Sequence, residues 1–323
     1  MTSLLSIVIA NYNYGRFIEE AIRSIIDQGM GGKVELIICD AASTDNSVDI
    51  IKRYANGLPP NTPRSEWQHS SPQTFQCANY QHLEHSNLIT WWCSEPDGGQ
   101  SAAFNKGFSH AHGRFLTWLN ADDIMMPGTL ERFERAVRVN PDCEWFVGGV
   151  MWLTKEMKII KCGRGRPFSR LRATSGELSV WGPSSFFSQA LYKRVGGIDE
   201  RFRYTMDTDL WCRFYRHCGA RYLPFINYAW GLRLHECAKM SAHNFAESGE
   251  ANPDHPKWTQ IAKENEWTRE KCGLSGRFSL VKRILSISPI EVGLAKFDTF
   301  RFGGRHYREF YEGRAAMSNS YGE

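Results

Sequence analysis

One stretch of the chain, residues 94–123, constrains the fold more than any other. It closes with an apolar run, Phe115–Leu119, that stops abruptly at the polar sequence Asn120–Asp123 (NADD). A run this apolar predicts a buried β-strand, so the acids that follow it lie at the carboxyl end of that strand. In open α/β sheets, ligands bind just outside such strand ends. The stretch therefore predicts a binding site at a sheet edge, and a merely acidic surface loop is the alternative.

The chain before this stretch alternates between strand and helix patterns. Leu4–Ala10, Val34–Cys39 and Leu88–Cys93 are short apolar runs that predict buried strands. An apolar stripe from Phe17 to Ile26 predicts a helix after the first strand, and a second helix is expected to reach about Tyr54. Strand and helix in alternation predict a parallel sheet with right-handed crossovers. The predicted fold class is therefore α/β with a mostly parallel sheet.

The remaining segments are less regular. Residues 57–87 are polar and show little periodicity, which predicts a long functional or disordered loop. Pro127 is expected as the first residue of an amphipathic helix. Trp145–Lys161 predicts two strands, and Trp181–Phe187 predicts another that leads into a short helix. Asp207–Cys218 predicts a helix that opens with acids, which suits the positive end of its dipole.

Composition excludes several classes of protein. The 323 residues are 42% apolar, which is enough for a sizeable core, and a net charge of +4 is too mild to indicate nucleic-acid binding. The nine cysteines are odd in number and form no CxxC pair, so neither a disulfide framework nor a zinc site is indicated. A reducing, cytoplasmic setting is expected, because no signal-peptide pattern and no bilayer-spanning apolar run occurs.

The composition changes near residue 236. Residues 236–323 are richer in charged side chains, with helical patches around 258–271 and 277–284, which predicts a mainly helical, basic C-terminal extension. This extension and the Arg164–Arg172 loop could hold the protein peripherally against the anionic inner face of a membrane. An ordinary solvated surface is the alternative for both.

Five blocks of the chain, in order, resemble family 2 glycosyltransferases with a GT-A fold. SIVIANYNYGRFIEEAIRSIIDQ resembles the first strand, nucleotide loop and helix of that family, and LIICDAASTDNS resembles the second strand with its base-reading acid. SEPDGGQSAAFNKGF and FLTWLNADD resemble the ribose loop and the DxD metal motif. SSFFSQALYKRVGGIDERFRYTMDTDLWCRF resembles the acceptor-side segment with its catalytic acid. The ordered set is far more specific than any one block.

The resemblance implies a Rossmann-like GT-A domain over residues 1–235, with a nucleotide-binding half at 1–123 and an acceptor-side half at 124–235. It implies an inverting, metal-dependent transfer of sugar from a UDP- or dTDP-sugar to a hydroxyl of a glycan or lipid-linked acceptor. A role in surface polysaccharide biosynthesis is expected. Two alternatives remain: a sugar-phosphate nucleotidyltransferase, or an inactive protein that binds nucleotide sugars. The first would need a Gly-rich, basic loop after the first strand, which Asn11–Gly15 is not.

The resemblance also assigns residues to the nucleotide sugar. Asp40 would accept a hydrogen bond from the base, and Asp97 would lie near the base or ribose. Lys106 would face the phosphates. Capping of the turn toward Ser43 is the alternative for Asp40, a Pro-Asp-Gly turn for Asp97, and simple solvation for Lys106. The full set expected to bind the nucleotide sugar is Ala10, Asn11, Tyr12, Asp40, Asp97, Lys106, Asn120 and Ala121.

The expected metal is Mg²⁺ or Mn²⁺, which would act as a Lewis acid on the leaving diphosphate. Asn120 replaces the first acid of the family's DxD motif, so Asp122 is expected as the main ligand, with His235 as a second. Asp123 would add charge, although an N-cap before Pro127 is its alternative. A second departure is Ala10, where the family often has Pro.

Asp207 is the residue that the resemblance assigns as general base. It would remove the proton of the acceptor hydroxyl, a role typically worth ~10²–10⁴-fold in rate. The alternative is that Asp207 is an N-cap and Asp209 does the chemistry. Trp181, Phe186 and Phe187 could line an acceptor platform, with core packing as the alternative.

Overall fold

The computed structural model describes residues 3–30, 32–55, 88–165, 180–219, 221–222, 228–236, 256–271, 296–301 and 303–308. The predictions made for 57–87, for the loop from 166 to 172 and for the helical patch at 277–284 lie outside the described residues. Within the described residues, no helix combines the length and the apolar character needed to cross a bilayer.

The described chain forms two sheets flanked by helices. The strands are β1 (Leu5–Asn11), β2 (Val34–Asp40), β3 (Ile89–Ser94), β4 (Phe115–Asn120), β5 (Ile124–Met125), β6 (Trp145–Val147), β7 (Gly149–Leu153), β8 (Ile159–Gly163), β9 (Ser185–Ser188), β10 (Arg221–Tyr222) and β11 (Tyr228–Arg233). The helices are α1 (Ile18–Ile26), α2 (Ser47–Tyr54), α3 (Gln100–Ser109), α4 (Thr129–Val139), α5 (Gln189–Arg194), α6 (Met206–Tyr215) and α7 (Pro256–Lys271).

The larger sheet has seven strands in the order β10-β6-β9-β4-β1-β2-β3. β1 pairs in parallel with both β2 and β4, and β2 pairs in parallel with β3. Only β9 among these strands runs antiparallel, against β4 and β6. The predicted mixed, mostly parallel α/β sheet is therefore confirmed. The smaller sheet has four strands in the order β5-β11-β7-β8.

Two hydrophobic clusters cover the two faces of the larger sheet. Ile7 and Ile9 of β1 join α1 in one cluster, whereas Val8 joins α3 in the other. This alternation follows from the two-residue period of a strand. α3 lies so close to β1 that a Cβ at Gly107 would come within 2.4 Å of Val8. All seven residues of β2 are buried, in keeping with the apolar run Leu36–Cys39 within it.

The register of the parallel strands aligns their carboxyl ends. Asn11 is paired with Asp40, and Asp40 is paired with Ser94. On the other side of β1, Ala10 is paired with Asn120 of β4. The polar residues that end these strands therefore lie side by side at one edge of the sheet.

A stack of buried aromatic rings fixes α6 against β4. The rings of Trp118 and Trp211 are parallel within 3°, with centroids 5.4 Å apart. Phe187 of β9 contacts both rings and is itself fully buried. The helix that carries Asp207 is thus anchored to the strand that leads to Asp122.

Several predicted boundaries were wrong. α4 begins at Thr129 and not at Pro127, because Gly128 first turns the chain with a left-handed backbone (φ +67°). Trp145–Lys161 contains three strands and not two. The chain leaves the larger sheet at Gly148, whose N–H donates to the Ser184 carbonyl at 2.7 Å, and β7 then enters the smaller sheet.

The described parts of the C-terminal extension pack on the rest of the protein through buried polar contacts. Asp298 is 3% exposed, and its carboxylate accepts hydrogen bonds from Arg164 at 2.8 Å and from the Tyr228 hydroxyl at 2.6 Å. Arg164 therefore belongs to a structural ion pair and not to a solvated basic loop. α7 packs against α6, and a bridge between Lys158 and His306 extends the smaller sheet's edge.

Candidate active site

A cluster of hydrogen bonds surrounds Asp40 at the ends of the first three strands. The side chain is 1% exposed. Its Oδ1 accepts from Asn11 Nδ2 at 2.6 Å and from the Ser43 hydroxyl at 2.5 Å. Its Oδ2 accepts from the Ser43 backbone N–H at 3.0 Å and from the Ser94 hydroxyl at 2.6 Å. The contacts with Ser43 are the capping role considered as the alternative for Asp40.

Asn11 and Tyr12 have opposite exposures at the end of β1. Asn11 is 3% exposed and positions Asp40, whereas Tyr12 is 59% exposed. The turn that follows is held by Asn13, which has a left-handed backbone (φ 57°) and whose Oδ1 accepts from the Thr44 N–H at 2.8 Å. The exposed phenol ring therefore lies on a well-anchored turn next to the Asp40 cluster.

Asp97 and Lys106 both have local partners. Asp97 Oδ1 accepts from the Gly99 N–H at 2.7 Å, which is the turn contact expected from the Pro-Asp-Gly sequence. Lys106 donates to Glu95 at 3.0 Å. Burial alone would lower the pKa of Lys106, but this hydrogen bond and the negative charges nearby together raise it above its usual value. The Lys106 ammonium is therefore charged and already paired in this structure.

The carboxyl end of β4 is organised by Asn120 and Asp123. Asn120 accepts from Gln100 at 3.0 Å and donates to Asp123 Oδ2 at 2.7 Å. The other oxygen of Asp123 accepts from the Arg233 N–H at 3.0 Å. Asp123 is 2% exposed, and burial, together with the nearby charge of Asp122, raises its pKa well above the usual value. Both oxygens of Asp123 thus join the end of β4 to β11. Asp123 is not the N-cap of α4, because Gly128 occupies that position.

Asp122 and His235 are brought together from distant parts of the sequence. Asp122 Oδ2 lies 3.1 Å from His235 Nε2, with side-chain exposures of 13% and 3%. The imidazole packs on Phe17, with ring centroids 4.4 Å apart, and meets Tyr14 edge-on at 5.9 Å. These contacts hold both side chains at the sheet edge formed by β1 and β4.

This pair fits a cation that is shared with a substrate. Within the described residues, no group of three or more His, Cys, Asp or Glu side chains could hold a metal ion. Mg²⁺ is commonly bound by one or two carboxylates, with water and substrate phosphates as the other ligands. A carboxylate and an imidazole, already in contact, match that arrangement and not a closed structural site.

Asp207 lies in the first turn of α6 and is half-buried, and its Oδ1 accepts from the Thr208 N–H at 2.7 Å. A Cβ placed at Gly182 would lie 3.6 Å from Asp207 Oδ2 and 3.4 Å from the Trp118 ring, so the carboxylate lies beside β4. The N-cap of α6 is Thr205 and not Asp207.

Asp209 and the three candidate platform residues are largely enclosed. Asp209 is fully buried, 2.6 Å from Arg213 and 3.2 Å from Lys271. Phe186 and Phe187 are fully buried, so both are core residues. Trp181 is half-buried and packs edge-on against a neighbouring tryptophan.

A comparison with protein-family models decides the family. The model described as "Glycosyl transferase family 2" matches residues 6–65 and 77–194, which is more than half of the chain. The chain belongs to glycosyl transferase family 2. The family match ends before α6 and α7, so it contains neither Asp207 nor the C-terminal extension.

Relatives of this family 2 chain are named as glycosyltransferases or, in one case, as a teichoic acid biosynthesis protein. An uncharacterised glycosyltransferase of Nostoc sp. is 30% identical over 40% of this chain and 31% of its own. The minor teichoic acid biosynthesis protein GgaB of Bacillus subtilis is 30% identical over 39% of this chain and 11% of its own. The family 2 chain thus spans less than a third of the length of these two curated relatives.

A solved structure supports the fold of this family 2 chain. S. aureus TarS 1–349, in complex with UDP-GlcNAc, superposes with a TM-score of 0.52 over 89% of this chain and 77% of that one, at 16% identity. The expected GT-A class is confirmed at the level of the fold.

Most of the predicted site residues of the family 2 chain lie at the carboxyl edge of the larger sheet, whereas Asp207 lies in the first turn of α6. Asp97 and Lys106 lie beside that edge but are engaged with neighbours of their own. Sequence reasoning missed Ser94 and Gln100, which position Asp40 and Asn120. Ser94 could have been found, because it ends the third parallel strand just as Asp40 ends the second.

The adjacent acids Asp122 and Asp123 are expected to differ in their effect on stability. Asp123→Ala leaves the buried Arg233 N–H and the partly buried Asn120 amide without an acceptor, so it should lower the free energy of unfolding by about 1–3 kcal/mol. Asp122→Asn retains a polar partner for His235 and should change the free energy of unfolding by less than about 1 kcal/mol. Urea unfolding followed by tryptophan fluorescence measures both. Equal losses in the two variants would contradict the structural role of Asp123.

Proposed function

We propose that this chain transfers a sugar from a UDP- or dTDP-sugar to a hydroxyl group of a glycan or lipid-linked acceptor, with inversion at the anomeric carbon. The observation that carries the proposal is the contact between Asp122 and His235, 3.1 Å apart, at the sheet edge that also holds Asp40. A role in surface polysaccharide biosynthesis is part of the proposal, and the name of the relative GgaB is in keeping with it.

The donor base would bind at Asp40. An ionised carboxylate only accepts hydrogen bonds, so it favours a base with an N–H at position 3, as in uracil and thymine. The four donors around Asp40 already use its oxygens. The Ser43 and Ser94 hydroxyls can rotate, so a base N–H can take the place of one of them while Asn11 keeps the carboxylate oriented. Tyr12, exposed nearby, would stack on the base.

The donor diphosphate would lie over Asp122 and His235. These two residues would hold Mg²⁺ or Mn²⁺, with diphosphate oxygens and water as the other ligands. When bound, the cation would act as a Lewis acid that stabilises the charge of the leaving diphosphate. Phe17 and Tyr14 keep the imidazole oriented, so its Nε2 stays directed toward Asp122.

The acceptor hydroxyl would lose its proton to Asp207. Asp209, the alternative base, is fully buried and paired with Arg213, so it has no access to an acceptor. Attack from the face opposite the diphosphate inverts the anomeric carbon. Of the other functions considered, nucleotidyl transfer is disfavoured because the turn after β1 presents Tyr12 and Asn13 and not a Gly-rich, basic loop.

Binding of the donor and of the cation should be separable by mutation. UDP with Mn²⁺ should raise the melting temperature of the protein, since a ligand that binds only the folded state stabilises it. Asp122→Asn should weaken the Mn²⁺ dependence of that shift by at least about tenfold. Asp142→Asn, an exposed acid elsewhere, is the control. An unchanged Mn²⁺ dependence in Asp122→Asn would show that the cation binds elsewhere.

Loss of the proposed base should affect chemistry and spare binding. Asp207→Asn should lower kcat for transfer by about 10²–10⁴-fold, because the amide cannot take up the acceptor proton. The Kd for UDP should stay within about twofold, since the substitution lies outside the donor cluster. Steady-state kinetics and calorimetry measure the two, with Asp142→Asn as control. Full transfer by Asp207→Asn would exclude this residue as base, and no turnover of any donor by the wild type would favour an inactive binding protein.

We also propose peripheral contact with an anionic membrane, through a basic-aromatic patch formed by Lys296, Phe297 and Phe300. The exposed fractions of Phe297 and Phe300 are 56% and 90%. Residues 296–301 are helical and are fixed to β8 by the Thr299 hydroxyl, which accepts from the Cys162 N–H at 3.0 Å. Each Lys or Arg near an anionic surface adds roughly 1 kcal/mol of attraction.

The membrane contact is tested by sedimentation with lipid vesicles. The protein should sediment with vesicles that contain phosphatidylglycerol and remain in solution with pure phosphatidylcholine, because the patch combines positive charge with exposed rings. Phe297→Ser/Phe300→Ser should lose most of this binding. Val139→Ser, which removes an apolar side chain of α4 that is 71% exposed, is the control. Undiminished sedimentation of the double variant would rule out the patch.

A further inference from the structure

Glu264 of α7 is a fully buried carboxylate that lies against the segment leading into α6. Its Oε1 accepts from the Arg203 N–H at 2.9 Å and from Gln260 Nε2 at 3.0 Å. Its Oε2 accepts from the Tyr204 N–H at 3.0 Å, and from the N–H and hydroxyl of Thr205 at 2.8 and 3.0 Å. One carboxylate thus binds three successive backbone N–H groups, two residues before Asp207.

These contacts take the place of the side-chain capping hydrogen bond that α6 lacks at its N-terminus. Thr205 is the N-cap, but its side chain makes no capping hydrogen bond within the helix. Successive N–H groups of this kind form a concave site for an anion, and a negative charge is stabilised at a helix N-terminus. Glu264 fills that site from a different helix, so the path of residues 203–205 depends on α7.

α7 is itself fixed on either side of the same segment. Lys271 pairs with Asp199 at 2.8 Å and with Asp209 at 3.2 Å, one before and one after the segment. Trp267 meets the Phe202 ring edge-on, with centroids 5.8 Å apart. Glu264 therefore projects from a helix that has little freedom to shift. Because Glu264 binds residues 203–205, that segment is held in place as well.

The charge of Glu264 is stabilised by the same contacts. Burial by itself would raise the pKa of this carboxyl, but the hydrogen bonds from Gln260 and from three backbone N–H groups outweigh burial and hold the pKa below its usual value. Because the folded-state pKa is lowered, the stabilisation is present above the unfolded pKa and is lost as the pH falls through the folded one.

We propose that Glu264 is a positioning residue for the transfer reaction, which holds the start of α6 so that the Asp207 carboxylate faces the acceptor hydroxyl. The proposal rests on the proposed function, in which Asp207 is the base. It assigns a catalytic purpose to a part of the chain that lies outside the family match. An error of about 1 Å in the placement of a reacting group can cost on the order of 10²-fold in rate.

Glu264→Gln tests this directly, because an amide has one acceptor oxygen where the carboxylate has two. Whichever way the amide turns, at least one backbone N–H of residues 203–205 loses its acceptor. We expect kcat to fall by about 10–10²-fold with the Kd for UDP within about twofold. Hydrogen exchange at the amides of residues 203–205 should become faster. Glu266→Gln, an exposed acid on the same helix, should behave as wild type.

A double variant separates positioning from a general loss of stability. If Glu264 acts through Asp207, Asp207→Asn/Glu264→Gln should be no slower than Asp207→Asn alone, because the two residues act as a unit. The positioning role alone would be overturned if Glu264→Gln lowered kcat by the same factor in the wild-type and in the Asp207→Asn protein. It would also be overturned if Glu264→Gln were fully active while Asp207→Asn was inactive. Full activity of Asp207→Asn would overturn the proposed function as well. If Glu264→Gln does not fold, Glu264→Asp, which is one methylene shorter, takes its place in the same comparisons.

Discussion

The parallel pairing of β1 with β2 on one side and β4 on the other is the constraint on which the site depends. That register sets Asn11 beside Asp40 and Ala10 beside Asn120, so residues far apart in sequence share one sheet edge. A shift by one residue would turn every side chain of β1 to the opposite face and separate these groups. The register is held by two different hydrophobic clusters, one on each face, that cannot exchange partners without exposing apolar surface.

Buried polar groups complete the site from outside the sheet. Asp123 binds the backbone of Arg233 and so brings the end of β11, with His235, to Asp122. Glu264 acts in a comparable way on the start of α6. In both cases a carboxylate is kept out of water and fully used in hydrogen bonds, which makes its removal costly. The C-terminal extension is therefore part of the architecture around the proposed acceptor side.

Local pattern was enough to predict the sheet, because each strand is a short apolar run and its polar end marks the edge. Asp40 and Asn120 do lie at the edge that this rule predicts, and their roles in donor binding stay predictions. The rule could not separate Asp122 from Asp123, because their different partners, His235 and Arg233, lie more than a hundred residues away. Glu264 gave no signal at all, since its ligands are backbone N–H groups that any sequence could supply. The start of α4 was missed because the left-handed turn at Gly128 separates it from Pro127.

The central claim is that Asp122 and His235 hold a cation beneath the donor diphosphate while Asp40 contacts the base. A crystal structure with UDP and Mn²⁺ tests it most directly. The account predicts manganese within bonding distance of Asp122 and His235, the uracil against Asp40 and Tyr12, and the Asp207 carboxylate open to the space beside the diphosphate. Manganese or UDP bound away from these side chains, or an Asp207 carboxylate directed away from the diphosphate, would contradict it.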